Sequence, residues 1–268
     1  MPELPEVETI RKQLDSVLAG QKIKAIEKLH PKSLASFAKV SAVEARIIGK
    51  KIVAVKRRAK MIWIDLGGDL NLLVHLKMTG QLLLNAKPGK HTRVIIHLTK
   101  DKLIFNDLRI FGWIKTVTNE QLKKHFAKLP PDVVDKGFTV KYLEKILKNS
   151  GRAVKLVLLD QAKMGGIGNI YANEALFGAG IRPTVPARQI KDFTKLHHCV
   201  VRVIKAGIRA GGTTASDDSF VNLFGRPGRY QKQLQVYENK DKCFRCGTKI
   251  TKIKLGGRGT YFCSQCQP

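Results

Sequence analysis

Leu129-Pro130-Pro131-Asp132 divides this chain of 268 residues into two halves of different character. Proline lacks an N–H and cannot continue a helix, and the residue before it is pushed toward extended backbone. A short helix expected over 119–128 must therefore stop there, and the stretch reads as a linker. On its N-terminal side the segments 22–29, 47–55, 61–66, 70–76, 93–98, 103–106 and 112–117 are short and β-branched. Gly-Gly-Asp, Pro-Gly-Lys or charged turns separate them, as between strands of an antiparallel sandwich or flattened barrel. One helix precedes them, over 4–19, with Val7, Ile10, Leu14, Val17 and Leu18 on one face and Gly20 as its stop. On the C-terminal side, 139–149, 152–163, a segment starting at Ile170, and 193–210 read as helices. Strands first and helices afterwards predict an α+β protein.

The charge narrows the choice of partner. Forty-nine Lys and Arg against 21 Asp and Glu give a formal net charge of +28, spread along the whole chain. A surface of that charge repels itself unless a polyanion neutralises it, which favours nucleic acid over an anionic membrane surface. No apolar run approaches about 18 residues and no charged-then-apolar leader is visible, so a soluble, intracellular protein is expected. Four of the five cysteines fall in the last 26 residues, in no pattern of a secreted disulfide framework.

Those four form Cys243-Phe244-Arg245-Cys246 and Cys263-Ser264-Gln265-Cys266, separated by 16 residues. Two Cys-x-x-Cys knuckles so spaced read as a tetrahedral Zn²⁺ site, with redox disulfides as the alternative. Four thiolates leave no open coordination position, so one structural Zn²⁺ is expected, fixing a β-hairpin with Arg258 near its tip. A guanidinium there can bond a phosphate in forked fashion. Cys199 is left over as a buried helix residue.

The first ten residues, Met1-Pro2-Glu3-Leu4-Pro5-Glu6-Val7-Glu8-Thr9-Ile10, carry two meanings. As structure, proline and acids suit the first turn of a helix. As chemistry, removal of Met1 would give Pro2 a free secondary amine. Such an α-amine titrates at about 7.7–8.0, and its neutral fraction can attack an aldehyde-like carbon to form an iminium ion. Glu3 lies directly beside it.

Several loops are open to similar double readings. Lys56-Arg57-Arg58-Ala59-Lys60 would project four cations together from a turn, toward phosphate or simply toward solvent. Met78 in 75–80 reads as a core residue or as a wedge entering a DNA stack. Arg109 and Phe111 share one side of the extended loop 106–112, as an edge strand would also give. The glycine-rich turn of 164–168 precedes Asn169, placed to cap the following helix, whose free N–H groups could hold phosphate; a plain helix–helix turn fits equally. The long irregular segment 213–231 reads as a binding lid or as disorder.

These residues together resemble the bacterial formamidopyrimidine-DNA glycosylases, repair enzymes for oxidised purines, over essentially the whole chain. The resemblance rests on Pro2 to Thr9, on 56–60, on Asp160-Gln161, Gly168-Asn169-Ile170-Tyr171 and Gly211-Gly212-Thr213-Thr214, and on the cysteine knuckles, all in the family's order. It implies an N-terminal antiparallel β-sandwich with an N-terminal helix (1–130). A helix–two-turn–helix DNA-binding domain with a lesion-capping loop (131–235) and a C-terminal zinc-finger β-hairpin (236–268) follow, with duplex DNA in the basic cleft between them. The implied activity is excision of oxidised purines through a Schiff base, then β,δ-elimination at the abasic site.

Carried over by position, Pro2 is the nucleophile, Glu3 the acid/base, Glu6 support for the terminus, and Lys60 the lysine contacting phosphate beside the lesion. His91, Arg109, Asn169 and Arg258 are implied DNA contacts. Met78, Arg109 and Phe111 fill the gap left by an extruded base, with Arg109 facing the orphaned partner. Thr213, Thr214 and Ser219 belong to the capping loop, and Cys243, Cys246, Cys263 and Cys266 bind the zinc. Lys77 and Thr79 stand where the family commonly has Gly and Ser, and Leu108 and Ile110 where it has Pro and Arg. A monomer in the bacterial cytoplasm, associated with the nucleoid and not with a membrane, is expected. The alternatives are the endonuclease VIII type, which removes oxidised pyrimidines but places its gap fillers on another loop, and a zinc-finger DNA-binding protein without catalysis.

Overall fold

The computed structural model describes residues 1–30, 46–215, 220–238 and 241–268. The chain divides into two compact units, Met1–Lys128 with Gly211–Arg229, and Leu129–Ala210 with Tyr230–Pro268. This partition differs from boundaries at 130 and 235, because the segment after the last long helix packs back onto the first unit. Phe220 and Leu223 lie in the same buried cluster as the strands, and Leu84 N donates to the Leu223 carbonyl at 2.9 Å.

The first unit opens with α1 (Leu4–Leu18) and continues through β1 (Ile23–Lys28), β2 (Ala54–Arg58), β3 (Met61–Asp65) and β4 (Asn71–His75). Then follow β5 (Gly80–Leu84), β6 (Thr92–Leu98), β7 (Lys102–Asp107), β8 (Trp113–Val117) and α2 (Asn119–Ala127). Two four-stranded antiparallel sheets form, in the orders β1-β6-β7-β5 and β2-β3-β4-β8. Alternation supplies one core from both sheets, with Ile62, Ile64, Leu72, Val74 and Ile114 from one and Leu82, Val94, Ile96 and Phe105 from the other. The apolar face of α1, Val7, Ile10, Leu14 and Leu18, joins the same core. The outer face of β3 and β4 is covered in turn by α2, where Trp63 and Phe126 rings lie 5.3 Å apart and Asn71 donates to Asn119 at 2.9 Å. An antiparallel sandwich with one helix at its front is the architecture expected.

Two strand expectations change. The segment 47–55 is not one strand: β2 begins only at Ala54, and residues 49–52 bond β1 and its approach instead, Ile23 N to the Lys50 carbonyl at 3.0 Å. β5 was hidden in the sequence because its Gly80 and the tight turn before it read as loop. Gly80 N donates to the Leu76 carbonyl at 2.9 Å, which closes that turn directly onto the strand.

The second unit holds α3 (Val140–Lys148), α4 (Val154–Leu158), α5 (Asn169–Ala179), α6 (Phe193–Arg209) and the hairpin β9 (Ile250–Leu255)–β10 (Arg258–Cys263). The helix expected over 152–163 is much shorter. After Leu158 the chain turns, and Gln161 ties that turn, its amide donating to the Ile167 carbonyl at 2.7 Å and accepting from Gly166 N at 3.2 Å. The linker lies against the glycine turn: Gly165 N donates to the Pro131 carbonyl at 3.0 Å.

Candidate functional site

Buried carboxylates organise the front of the first unit. Pro2, Glu3, Glu6 and Lys60 are all buried, Lys60 at 5% exposure. Glu3 caps α1, and its N–H donates to Glu6 Oε2 at 2.8 Å. The other oxygen of Glu6 accepts from Thr213 N at 2.7 Å, a contact spanning 207 residues of sequence. Gly212 has φ +89° there, and an added Cβ would come 3.0 Å from the Glu6 side chain. Thr214 Oγ1 then accepts from Gly228 N at 2.9 Å and donates to the Phe220 carbonyl at 2.8 Å. The root of the 213–231 segment is thus packed and bonded. Thr213 and Thr214 belong to it, whereas Ser219 lies outside the described residues.

The cations of 56–60 do not project together, contrary to expectation, because strand alternation sends them apart. Lys56 pairs with Asp65 at 3.3 Å and sits 5.1 Å from the centre of the Trp63 ring. Arg57 turns inward, its Nε on Glu8 at 2.9 Å and its Nη1 donating to the Ala59 carbonyl at 2.7 Å. Burial raises the Glu8 carboxyl, but the Arg11 and Arg57 guanidiniums outweigh it and hold the group below the usual range. Arg57 thereby pins Ala59, which has φ +51°, and with it the turn that carries Lys60.

Met78, Arg109 and Phe111 come from two loops joined at their roots. Met78 is half-buried in the β4–β5 turn; Arg109 and Phe111 are exposed in the β7–β8 turn. The Arg109 guanidinium lies 4.9 Å from the centre of the Phe111 ring, so the two side chains do share one side. The backbone between them is not extended, however, since Ile110 has φ +56°. Asp107, fully buried, closes this turn through Gly112 N at 2.7 Å and Arg109 N at 3.2 Å, and Thr79 reaches it from the other loop at 2.5 Å. In the Met78 turn, Lys77 has φ +53° and donates its N–H to His75 Nδ1 at 3.0 Å. Burial, then the charges of Lys77, Lys60 and His125, push His75 down to about 3, so its ring is the neutral acceptor this bond requires. His91 stands at the entry to β6, where its carbonyl accepts from Asp107 N at 2.9 Å.

In the second unit, α5 begins at Asn169 itself, with Gly168 in the cap position, so Asn169 is not the cap. Its amide instead donates to the Gly259 carbonyl at 3.1 Å, which brings it beside Arg258 at the start of β10. Lys155, fully buried on α4, donates to the same carbonyl at 2.9 Å and to Thr260 Oγ1 at 2.7 Å. Sequence reasoning missed Lys155, because a lysine in an amphipathic pattern reads as solvated. It also missed Glu174, whose carboxylate accepts from Gln235, Val236 and Tyr237 N–H groups at 2.8, 3.0 and 2.8 Å. Burial raises the Glu174 carboxyl, with these three bonds opposing. Asp107 carried a usable signal, since aspartate before a loop commonly closes it through backbone N–H groups.

The four knuckle cysteines converge, with all four sulfurs within 4.8 Å of one another. Cys243 and Cys266 sulfurs are 3.8 Å apart, Cys246 and Cys263 3.4 Å. Zn–S bonds of about 2.3 Å in a tetrahedron place sulfurs about 3.8 Å apart, so the residues fit one Zn²⁺. The chain carries one structural zinc, and Phe177, Val236, Ile250 and Tyr261 pack around its ligands.

Comparison with known proteins places three families along the chain. The formamidopyrimidine-DNA glycosylase N-terminal domain matches residues 1–114 and the formamidopyrimidine-DNA glycosylase H2TH domain residues 129–219. The zinc finger found in FPG and IleRS matches residues 240–268. The formamidopyrimidine-DNA glycosylase of Pelotomaculum thermopropionicum is 41% identical over 276 residues, covering 100% of this chain and 99% of the relative. That of Lactococcus lactis is 35% identical over 277 residues, with 100% and 99% covered. Among solved structures, the complex of Lactococcus lactis Fpg with abasic site containing DNA matches with a TM-score of 0.92 at 33% identity, 99% of each chain being covered. A complex of a mutant of the same enzyme with Fapy-dG containing DNA matches equally, at 0.92, 33% and 99% of each chain.

Proposed function

The chain belongs to the formamidopyrimidine-DNA glycosylase family, and from that premise we propose that it excises oxidised purines from duplex DNA and then cleaves the abasic strand. One observation carries the assignment of chemistry: Pro2 and Glu3 sit at the buried start of α1, in the same unit as the buried Lys60.

With Met1 removed, the Pro2 nitrogen donates its lone pair to C1′ of the damaged nucleotide. The glycosidic bond breaks, and its electrons leave with the base, which takes up the proton that the attacking amine sheds. Glu3 delivers a proton to the ring oxygen of the deoxyribose as the ring opens, leaving an iminium between Pro2 and C1′. That cation acidifies C2′. Loss of a C2′ proton expels the 3′ phosphate, a second elimination expels the 5′ phosphate, and water releases Pro2 from the sugar fragment. Lys60 holds the phosphate beside the lesion, and Glu6 supports the terminus. His91, Arg109, Asn169 and Arg258 contact DNA, while Met78, Arg109 and Phe111 fill the gap of the extruded base. Thr213 and Thr214 belong to the loop that caps the damaged base. The zinc holds the hairpin that presents Arg258 and takes no part in the chemistry.

Bacterial relatives and the absence, among the described residues, of any helix able to cross a membrane support action in the cytoplasm, at the nucleoid. A solved complex of wild-type Lactococcus lactis Fpg holds oxidised pyrimidine containing DNA, which supports some oxidised pyrimidines as further substrates. Borohydride reduction on DNA containing 8-oxoguanine opposite cytosine tests the mechanism. A covalent adduct is expected with the native chain and a strongly diminished one with Pro2→Gly, whose primary amine is less well placed; an undiminished adduct in that variant would overturn it.

A further inference from the structure

The gap-filling side chains are borne on two separate loops, and a hydroxyl bonded to a buried carboxylate joins their roots. β5 and β7 are paired so that Gly80 faces Asp107, and the Met78 turn and the Arg109–Phe111 turn leave from that one point. Thr79, next to Met78, donates its hydroxyl to Asp107 Oδ1 at 2.5 Å and accepts from Arg109 N at 3.1 Å. Asp107 Oδ2 accepts from Gly112 N at 2.7 Å, so the same carboxylate closes the turn in which Ile110 is held at φ +56°. The Asp107 backbone bonds the His91 carbonyl at 2.9 Å and the Arg93 guanidinium at 2.8 Å. With the Arg109 N–H, five groups from both loops and from the start of β6 therefore meet on one fully buried residue.

A hydrogen bond to a buried carboxylate is short, strong and costly to break without a substitute. Moving either loop alone would break it. We propose that Thr79 and Asp107 form a lock that makes Met78, Arg109 and Phe111 enter the duplex as one unit, so that Arg109 meets the orphaned base only when Met78 is seated. Asp107 and Thr79 are then positioning residues that set lesion and partner-base specificity. This rests on the gap-filling reading of the three side chains given above. Threonine serves at 79 because the lock needs only a hydroxyl.

The test compares single-turnover excision of 8-oxoguanine opposite cytosine with nicking of abasic DNA, which has no base to extrude. Thr79→Val, near-isosteric but without the hydroxyl, should slow excision about ten- to hundredfold while abasic nicking stays within about twofold of the native rate. Thr79→Ser should restore excision. In the native background Met78→Ala and Phe111→Ala should be non-additive, and with Thr79→Val their effects should add. Equal losses in both assays, or additive effects in both backgrounds, would overturn the lock, as would unchanged excision in Thr79→Val. If Met78→Ala, Arg109→Ala and Phe111→Ala all excise at the native rate, the gap-filling reading fails instead. Asp107→Asn is the harsher variant, and its folding is checked first by thermal unfolding.

Discussion

The β9–β10 hairpin and the β4–β5 and β7–β8 turns all take backbone to positive φ, and they do it with opposite chemistry. At the tip of the β9–β10 hairpin the residues are Gly256 (φ +56°) and Gly257 (φ +75°), which adopt that conformation without strain. In the β4–β5 and β7–β8 turns of the first unit they are Lys77 (φ +53°) and Ile110 (φ +56°), where an L side chain disfavours it. The difference follows from what stands behind each turn. The hairpin has a small buried cluster, two of whose six members are metal-ligating cysteines, so it has little packing with which to hold strain. The sandwich has a buried cluster drawn from both sheets and α1, and it adds His75 and Asp107 as specific anchors. Strain persists where the surroundings over-determine it.

The largest break in this comparison comes from removing the metal. Chelating zinc should unfold the hairpin and abolish binding to lesion DNA, while circular dichroism retains most of the β signal of the sandwich. Structural zinc sites of this type contribute about 10–16 kcal/mol of apparent binding energy at pH 7, more than the hairpin core can replace. Retained binding in a gel-shift assay after full chelation would refute the dependence.

Acid should weaken the other region. The unfolded His75 ring takes up a proton near pH 6.5, whereas the folded ring refuses it until about pH 3. Its contribution is complete above pH 6.5 and is lost progressively as pH falls from there toward 3. Thermal midpoints measured from pH 7 to 4 should fall more steeply in the native chain than in His75→Asn, which keeps an acceptor for the Lys77 N–H but cannot protonate. Equal slopes would remove His75 as an anchor.

The smallest effect sharpens the strain argument itself. Lys77→Gly should raise stability by about 0.5–1 kcal/mol, the left-handed penalty outweighing the added freedom of the unfolded chain. Gly257→Lys, at a position with open space around it, should cost a similar amount. Urea midpoints decide both. A destabilised Lys77→Gly would mean the lysine side chain contributes more than its backbone conformation costs.

Much of the architecture was legible because it is local or periodic. The apolar stripe of α1, the strand–turn alternation before the linker, and the spacing of the four cysteines each follow from a few neighbouring residues. The family resemblance named Pro2, Glu3 and Lys60 from contiguous motifs. What misled was also local: Arg57 read as one of four cations projecting together from a turn because nothing nearby in sequence announces Glu8. Gly80 hid a strand for the same reason.

The sequence by itself determined the segregation of strands from helices, the helical start that carries Pro2, and the four-thiolate zinc centre. Tertiary structure alone decided that Glu6 holds Thr213 across 207 residues, that Lys155 and Asn169 meet at the Gly259 carbonyl, and that Thr79 and Asp107 join two loops. The reason is physical. Propensity, periodicity and ligand spacing are properties of short windows, whereas a buried polar group takes whichever partner the packed chain brings within about 3 Å, however far away it lies in sequence.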